Sequence, residues 1–258
     1  KLEDVKIRSN AGPMKPENLG WLQPVDAKTT SLDEMRERFV EQGYIWVKGL
    51  LPREDVLEFR RKYFEFMAPT GVLKEGTDPI DGIYCGADPE LFLPPGNGRE
   101  CENTEQADRA VHYDHIFLRY GPPTFLTGWL PFGDIPLEGG GLTYLEDAVP
   151  LAQAIEDDFS KRAENFTPEE RINAFNANMM RGGHLGHDSQ GFSDKHGRKW
   201  LIADYEAGDV VFHHPYSIHA SCINESPTNT IRLATDLRFV NPEAPYDTRW
   251  TDYWRPNE

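Results

Sequence analysis

Cysteine, positive charge and long apolar runs are all scarce in this chain, and each scarcity excludes a class of protein. The three cysteines, Cys85, Cys101 and Cys222, are odd in number and spaced like neither a zinc motif nor a disulfide framework. A reducing, intracellular setting is therefore the simplest interpretation. No run approaches the roughly 20 apolar residues of a membrane span. We predict a cytoplasmic location, although the chain begins at Lys1 rather than Met and so does not define its natural N-terminus.

Acidic residues outnumber basic ones by 43 to 27, which gives a formal net charge of -16. Such a surface repels nucleic-acid phosphates and anionic lipids, and no basic run offsets it. We therefore expect neither nucleic acid nor a membrane as a partner, which leaves a small-molecule substrate as the class to consider. The oligomeric state stays open, because Trp250 and Trp254 suit either an interface or a cover over the protein's own core.

The length of the chain and its pattern of β-forming runs, turns and helical segments predict one domain, residues 1–258, of mainly β structure with flanking helices. From residue 110 onward, short runs rich in β-forming residues alternate with turns, a pattern typical of a sandwich or barrel. The predicted strands are 112–120, 125–130, 141–144, 200–203, 209–212, 219–223 and 230–239. We place the β core at 106–245, interrupted by a largely helical insertion around 148–199.

The N-terminal region, residues 1–105, is predicted to be mainly helix and loop. Residues 1–30 are polar and are expected to cover the surface, and 31–49 predict a capped helix followed by a strand. Residues 69–105 are rich in Gly, Pro, Asp and Asn, which indicates a long loop. Long loops in compact domains are often lids, so this loop and the Gly-rich stretch 181–199 are candidates for a lid and a substrate wall.

A histidine and a carboxylate stand two residues apart at His112 and Asp114. On a strand, residues i and i+2 point to the same face, so these two side chains could bind one metal ion together. Two histidines and one carboxylate form the facial triad that suits Fe(II) and leaves coordination positions open. The HxD pattern alone is common by chance, so a second histidine elsewhere has to complete it.

A second group of polar side chains follows a run of apolar residues about a hundred positions later. It contains the adjacent pair His213 and His214, and then His219. All three could be ordinary polar residues near a turn. His219 is favoured as a metal ligand because Ser221 lies on the same strand face two residues later. Arg232 follows at a spacing that lets a hairpin bring it alongside.

Arg232 lies in an otherwise apolar run that we predict to be a strand. Burying a guanidinium without a partner is unfavourable. A dicarboxylate cosubstrate would supply that partner through a bidentate pair. A salt bridge to an acidic residue of the protein is the alternative.

Two further candidates are weaker. His184 and His187 could bind zinc if they lay one turn apart on a helix, but the neighbouring Gly182, Gly183 and Gly186 argue against a helix. Cys222 lies next to the proposed site. No adjacent base supports a nucleophilic role, so its default interpretation is a small buried apolar residue.

Together these residues resemble the phytanoyl-CoA dioxygenase family of Fe(II)- and 2-oxoglutarate-dependent oxygenases, over most of the chain. Residues 39–52 resemble the family's helix–strand opening, and His112-Tyr113-Asp114 matches its HxD motif. Residues 139–148 resemble its middle motif, although Glu146-Asp147-Ala148 replaces the usual Pro-Gly-Ser-His run. The closing block at 208–232 is the most specific part of the resemblance.

The resemblance implies a double-stranded β-helix, the cupin-like jelly roll, flanked by helices. It implies that His112, Asp114 and His219 are the catalytic iron ligands. Because Asp114 is present where halogenating relatives have a small residue, hydroxylation or a related oxidation is favoured over halogenation.

The resemblance also implies a binding site for the cosubstrate. Arg232, helped by Ser221, would hold the distal carboxylate of 2-oxoglutarate, and Thr143 would be a further contact by its position in the motif. Many relatives have Gln three residues before the first ligand, where this chain has Arg109.

The implied function is a non-heme dioxygenase that uses Fe(II), 2-oxoglutarate and O2 to oxidise a small metabolite by hydroxylation, desaturation or ring closure. The acidic surface offers no evident groove for coenzyme A phosphates. The sequence therefore favours a free amino acid or an intermediate of secondary metabolism as substrate. Two alternatives stay open. One is a cupin-like metalloenzyme that does not use 2-oxoglutarate, and the other is a non-catalytic jelly-roll partner subunit.

Overall fold

The computed structural model describes residues 1–92, 110–167, 184–248 and 251, and within them the chain builds two facing β-sheets with helices on their outer sides. The strands are β1 (Arg8–Ser9), β2 (Gly12–Pro13), β3 (Leu19–Trp21), β4 (Pro24–Asp26), β5 (Tyr44–Lys48), β6 (Leu126–Pro131), β7 (Leu142–Leu145), β8 (Trp200–Ile202), β9 (Val210–His213), β10 (His219–Ser221) and β11 (Ala234–Phe239). The helices are α1 (Leu32–Gln42), α2 (Arg53–Met67), α3 (Ala148–Ala163) and α4 (Ser189–His196).

The larger sheets have the strand orders β10-β7-β8-β3 and β11-β6-β9-β5-β4, and β1 and β2 form a two-stranded sheet. Pairing within the two sheets is antiparallel except at β3–β8 and β4–β5. Strands that are distant in sequence are thus neighbours in both sheets. This arrangement confirms the predicted fold class, mainly β with flanking helices in a jelly roll.

The main core lies between the two sheets and is rich in aromatic side chains. Trp129 from the five-stranded sheet packs with its ring centroid 4.7 Å from that of Tyr205. Tyr44 stacks on Tyr144 of the opposite sheet at 5.6 Å. The strand period of two explains this layer, because Tyr44 and Trp46 face inward whereas Ile45 and Val47 face the other side of the sheet.

Helices cover the outer faces of both sheets. Met35 and Phe39 of α1 pack on the outward residues of β5, and α1 is capped as its sequence predicts, with Ser31 Oγ accepting from the Glu34 amide. On the four-stranded side, Ala148 and Ala152 of α3 belong to the cluster that contains Trp200 of β8. None of the helices in the described ranges has the length and apolar character that a bilayer span requires.

The N-terminal region is more strand-like than expected. Residues 1–30 were expected only to cover the surface, but β3 and β4 join the two large sheets, one strand in each. Leu19, Leu22 and Val25 are buried there. The reason is that each strand has only three residues and a single buried one, Leu19 in β3 and Val25 in β4, so neither is long enough to show a period of two in the sequence.

Three further predictions are corrected by the structure. The run 112–120 is not a strand, because residues from Asp114 to Ile116 form a 3-10 turn. The last strand begins at Ala234, not at 230. Within the predicted loop 181–199, Ser189–His196 is a helix whose N-terminus is capped by the Asp188 side chain. Of the two candidate lid segments, 69–105 and 181–199, residues 93–105 and 181–183 lie outside the described residues.

Candidate active site

Two backbone hydrogen bonds join the HxD motif to the start of β10, although the two are about a hundred residues apart in sequence. The backbone amide of His112 donates to the His219 carbonyl at 3.0 Å, and the His219 amide donates to the His112 carbonyl at 2.8 Å. This isolated bridge extends the edge of the four-stranded sheet. Asp114 follows at the beginning of the 3-10 turn, which redirects its carboxylate toward the histidines.

His112, Asp114 and His219 present one ligand atom each within a span of 4.8 Å. The two imidazole centroids are 4.3 Å apart, and His219 Nε2 lies 3.7 Å from Asp114 Oδ1. Over the described ranges, no other group of three or more His, Cys, Asp or Glu side chains converges in this way. The rings of His184 and His187 lie side by side, with centroids 3.8 Å apart and planes tilted by 54°, and among the described residues no third such ligand joins them.

Backbone carbonyls fix the orientation of both imidazoles. His112 Nδ1 lies 2.8 Å from the Ala110 carbonyl, and His219 Nδ1 lies 2.9 Å from the Ser217 carbonyl. A carbonyl only accepts, so each Nδ1 carries the proton and each Nε2 keeps its lone pair for a metal. Burial and the neighbouring His112 lower the pKa of His219 well below its usual value, which keeps it in the neutral form that binds metals.

The Asp114 carboxylate is 2 % exposed and is surrounded by donors. Its Oδ2 accepts from Thr127 Oγ1 at 2.5 Å and lies 3.0 Å from His213 Nε2. Arg238 also approaches Oδ2, at 3.3 Å. Although burial alone disfavours the charged carboxylate, the hydrogen bond and charges of these neighbours hold the pKa of Asp114 well below its usual range. Oδ1 is left facing His219.

The three residues line a cavity of about 480 Å³ that also contains Ser221 and Arg232. Ser221 faces the cavity because it lies two residues after His219 on β10, as the alternation predicts. Arg232 donates to the Ser221 hydroxyl at 2.9 Å and to the Gly140 carbonyl at 2.6 Å. Arg232 lies just before β11 rather than within a strand, and it is half-buried.

Thr143 does not reach this cavity. Leu142 and Tyr144 on either side of it in β7 face the core between the sheets, so Thr143 faces the other side. Its hydroxyl donates to the Ala220 carbonyl at 3.2 Å. The motif position alone suggested a contact with the cosubstrate, but strand alternation directs the side chain away from it.

Sequence reasoning missed the side chains that hold Asp114. The sequence does not single out Thr127 or Arg238, and it assigns no role to His213. A signal was available for His213, since it ends an apolar strand just before Pro215, but its pairing with Asp114 required knowledge of the fold. His214 lies elsewhere and accepts from the Tyr216 amide at 3.1 Å. Arg109 falls outside the described residues.

A buried ion pair supports the HxD segment from the side of α3. Arg119 contacts both carboxylate oxygens of Glu156, at 2.8 and 2.9 Å. The Tyr113 hydroxyl donates to the same carboxylate at 2.6 Å. Glu156 thus connects helix α3 to the residue that stands between the two ligands His112 and Asp114.

Comparison with solved structures finds matches at low sequence identity. SnoK, a non-heme alpha-ketoglutarate-dependent carbocyclase from nogalamycin biosynthesis, is 18 % identical, covers 84 % of this chain and 87 % of its own, and gives a TM-score of 0.45. The epimerase SnoN, in complex with Fe3+, alpha-ketoglutarate and nogalamycin RO, is 16 % identical, with coverages of 83 % and 85 % and a TM-score of 0.48. EvdO2 from Micromonospora carbonacea var. aurantiaca, complexed with 2-oxoglutarate, is 16 % identical, with coverages of 85 % and 94 % and a TM-score of 0.46.

At these identities and TM-scores, the likeness does not establish a shared substrate or reaction. No curated protein matches the chain significantly. The family described as phytanoyl-CoA dioxygenase, however, matches residues 99–234, more than half of the chain, including the HxD motif, β10 and Arg232. This match confirms the predicted enzyme class, a non-heme Fe(II)- and 2-oxoglutarate-dependent dioxygenase. The chain belongs to the phytanoyl-CoA dioxygenase family.

Proposed function

We propose that His112, Asp114 and His219 are the catalytic ligands of Fe(II) in an oxygenase that oxidises a small molecule. The supporting observation is the convergence of their ligand atoms within 4.8 Å. Two imidazole nitrogens and one carboxylate oxygen on one side of an ion are the donor set of the facial triad, which leaves positions open for cosubstrate and O2. When bound, iron supplies the oxygen chemistry, in which 2-oxoglutarate is converted to succinate and CO2.

Arg232 and Ser221 are proposed to hold the distal carboxylate of 2-oxoglutarate. Arg232 contributes a planar, permanently charged donor group that matches a carboxylate. The Gly140 carbonyl and the Ser221 hydroxyl fix the direction of its NH1 group. Both side chains line the same cavity as the metal ligands, so a short diacid held there would share that cavity with the metal. Thr143 takes no part in this site, because it faces the opposite side of β7.

The substrate is proposed to be a small free metabolite, such as an amino acid or an intermediate of secondary metabolism. A cavity of about 480 Å³ with a largely polar wall fits a compact polar molecule better than a long apolar chain. The protein orients this molecule beside the metal and keeps water from the reacting centre. The reaction is hydroxylation or a related C–H oxidation, desaturation or cyclisation.

We propose that residues 1–258 work as a single oxygenase domain in the cytoplasm. The two sheets take strands from both ends of the chain, since β3 and β4 lie near its beginning and β11 lies near its end. The thiols of Cys85 and Cys222 are free, which suits a reducing compartment.

The test is anaerobic titration of the purified protein with Fe(II) and 2-oxoglutarate. Bound together, they should give a weak visible charge-transfer band in the wild type and none in His112→Ala or His219→Ala. His196→Ala, on helix α4, is the matched histidine control and should keep the band. Metal binding with no band on addition of 2-oxoglutarate would instead indicate a cupin-like metalloenzyme. Absence of stoichiometric metal binding would indicate a non-catalytic subunit.

Succinate release then identifies the substrate. The screen should compare free amino acids, natural-product intermediates and phytanoyl-CoA, with turnover in the absence of substrate as the baseline. Stimulation by a free metabolite is expected. Stimulation by phytanoyl-CoA alone would contradict the proposed substrate class while leaving the metal site intact.

A further inference from the structure

Three adjacent strands of the five-stranded sheet place a row of donors opposite one oxygen of Asp114. Thr127 on β6 pairs in register with His213 on β9 and with Arg238 on β11. Residues directly opposite each other in an antiparallel pair point to the same face. The side chains of Thr127, His213 and Arg238 therefore form one line across the sheet, which we call the donor row.

The donor row converges on Asp114 Oδ2 rather than on both carboxylate oxygens. Thr127 Oγ1 lies at 2.5 Å and His213 Nε2 at 3.0 Å from this atom, and Arg238 NH2 lies at 3.3 Å. A carboxylate oxygen offers about two lone-pair directions, so three donors saturate it. Oδ1 takes the opposite direction and faces His219 Nε2 at 3.7 Å.

A fourth residue, Tyr144, fixes which ring nitrogen of His213 carries the proton. The Tyr144 hydroxyl lies 3.0 Å from His213 Nδ1. Because His213 Nε2 has to carry a proton to donate to the carboxylate, its Nδ1 accepts from Tyr144. His213 and Thr127 are each 0 % exposed, so no water competes for these hydrogen bonds.

We propose that Thr127, His213 and Arg238 are positioning residues that make Asp114 bind the metal through Oδ1 alone. A carboxylate that bound through both oxygens would occupy one of the positions that the facial triad leaves open for cosubstrate and O2. By saturating Oδ2, the donor row keeps that position free and fixes the direction of the Oδ1 lone pair. This inference rests on the proposed metal site.

Cobalt(II) titration followed by visible absorption tests the donor row, because the ligand-field bands of Co(II) report both affinity and coordination. The variants are Thr127→Val, which removes the hydroxyl at nearly constant shape, and Arg238→Met, which removes the charge. Loss of a residue that orients a metal ligand typically lowers metal affinity roughly 10- to 100-fold, and we expect a Kd increase in that range. We also expect changed Co(II) bands.

Thr127→Ser and Arg238→Lys retain a donor and should recover much of the lost affinity. Leu237→Ala is the control, since this neighbour on β11 faces outward and is 45 % exposed; its Co(II) affinity and bands should equal those of the wild type. Circular dichroism and thermal unfolding check that each variant folds. If Thr127→Val does not fold, Arg238→Met on the edge strand carries the test.

The outcomes separate the two proposals. Wild-type affinity and unchanged bands in folded Arg238→Met and Thr127→Val would overturn the role of the donor row. Failure of the wild type to bind Co(II), or equal binding by His219→Ala, would overturn the proposed metal site itself. An increase in Kd with unchanged bands in both variants would also contradict the inference, because it would show a general loosening of the site rather than a change in how Asp114 binds.

Discussion

The two large sheets contribute to the site in different ways. The four-stranded sheet supplies residues that would touch the metal and the cosubstrate, because His219 and Ser221 lie on its edge strand β10 and His112 is bridged to that edge. The five-stranded sheet supplies Thr127, His213 and Arg238, whose polar groups contact the ligand Asp114. A short edge strand opens its side chains to the cavity. The larger sheet offers three donors in register, of which Thr127 and His213 are buried. Ligation and ligand support therefore lie on different sheets.

The largest expected effect is on the free energy of unfolding, and it concerns the buried ion pair of Arg119 and Glu156, which lies outside both sheets. Removing one partner of a buried ion pair typically costs about 3–5 kcal/mol. Glu156→Gln leaves the buried Arg119 guanidinium without its carboxylate, so the free energy of unfolding should fall by about that amount in urea denaturation. Asp158→Asn, on the same helix, is the control. It breaks an exposed pair with Arg162 and should cost at most about 1 kcal/mol. Equal effects would show that α3 does not hold the HxD segment.

The second effect is a pH dependence of the free energy of unfolding. It arises from His115, which follows Asp114 in the chain. Burial lowers the pKa of His115 from 6.5 to about 4. Between these values the unfolded chain binds a proton that the folded protein does not, so stability is fully present above pH 6.5 and is lost as the pH falls toward 4. This contribution is roughly 3 kcal/mol.

Substitution isolates the contribution of His115 from those of other titrating groups. His115→Phe should remove this part of the pH dependence, since a ring of similar size can pack against Phe125 and Tyr216. The measurement is urea denaturation of both proteins at several pH values between 7 and 4. Parallel profiles for wild type and variant would contradict the prediction.

The third effect tests the cosubstrate end of the cavity. Arg232→Met removes the proposed anchor of the distal carboxylate, and loss of a charge pair of this kind costs about 2 kcal/mol or more. The KM for 2-oxoglutarate should therefore rise roughly 30-fold or more, while Co(II) affinity stays unchanged. A loss of Co(II) binding would mean that Arg232 supports the metal ligands instead. The residues that bind the cosubstrate could then not be distinguished from those that support the metal site.

The smallest effects compare two hydroxyls on neighbouring strands. Ser221→Ala removes one of the two hydrogen bonds that direct Arg232 NH1, worth about 1 kcal/mol, so the KM for 2-oxoglutarate should rise a few-fold. Thr143→Val should leave this KM unchanged, because its hydroxyl contacts the Ala220 carbonyl on the other face. A larger effect of Thr143→Val than of Ser221→Ala would contradict the placement of these side chains.

Much of the site could be predicted from sequence because its parts are local. The shared strand face of His219 and Ser221 follows from the period of two, and the structure has both in the cavity. The pairing of His112 with Asp114 was derived from a strand that is absent, since Asp114 begins a 3-10 turn. The convergence of the two side chains therefore has a different cause, namely the bridge to His219 and the turn that follows it.

The donor row could not be predicted, because it depends on register between strands far apart in sequence. Thr127 and Arg238 are opposite each other only once β6 and β11 are paired. A single sequence contains no period that links them. The direction of Thr143 can be predicted, since it alternates with Leu142 and Tyr144, and this alternation is a better guide to the side chain than its position in the motif.

Strands β3 and β4 have a consequence for the protein's behaviour in concentrated solution. Each lies at the outer end of a sheet, β3 beside β8 and β4 beside β5, and buried Leu22 lies between them. Unpaired strand edges attract other chains and promote aggregation. The first thirty residues thus shield two such edges at once, and shortening the chain from this end would favour self-association well before it disturbed the metal ligands.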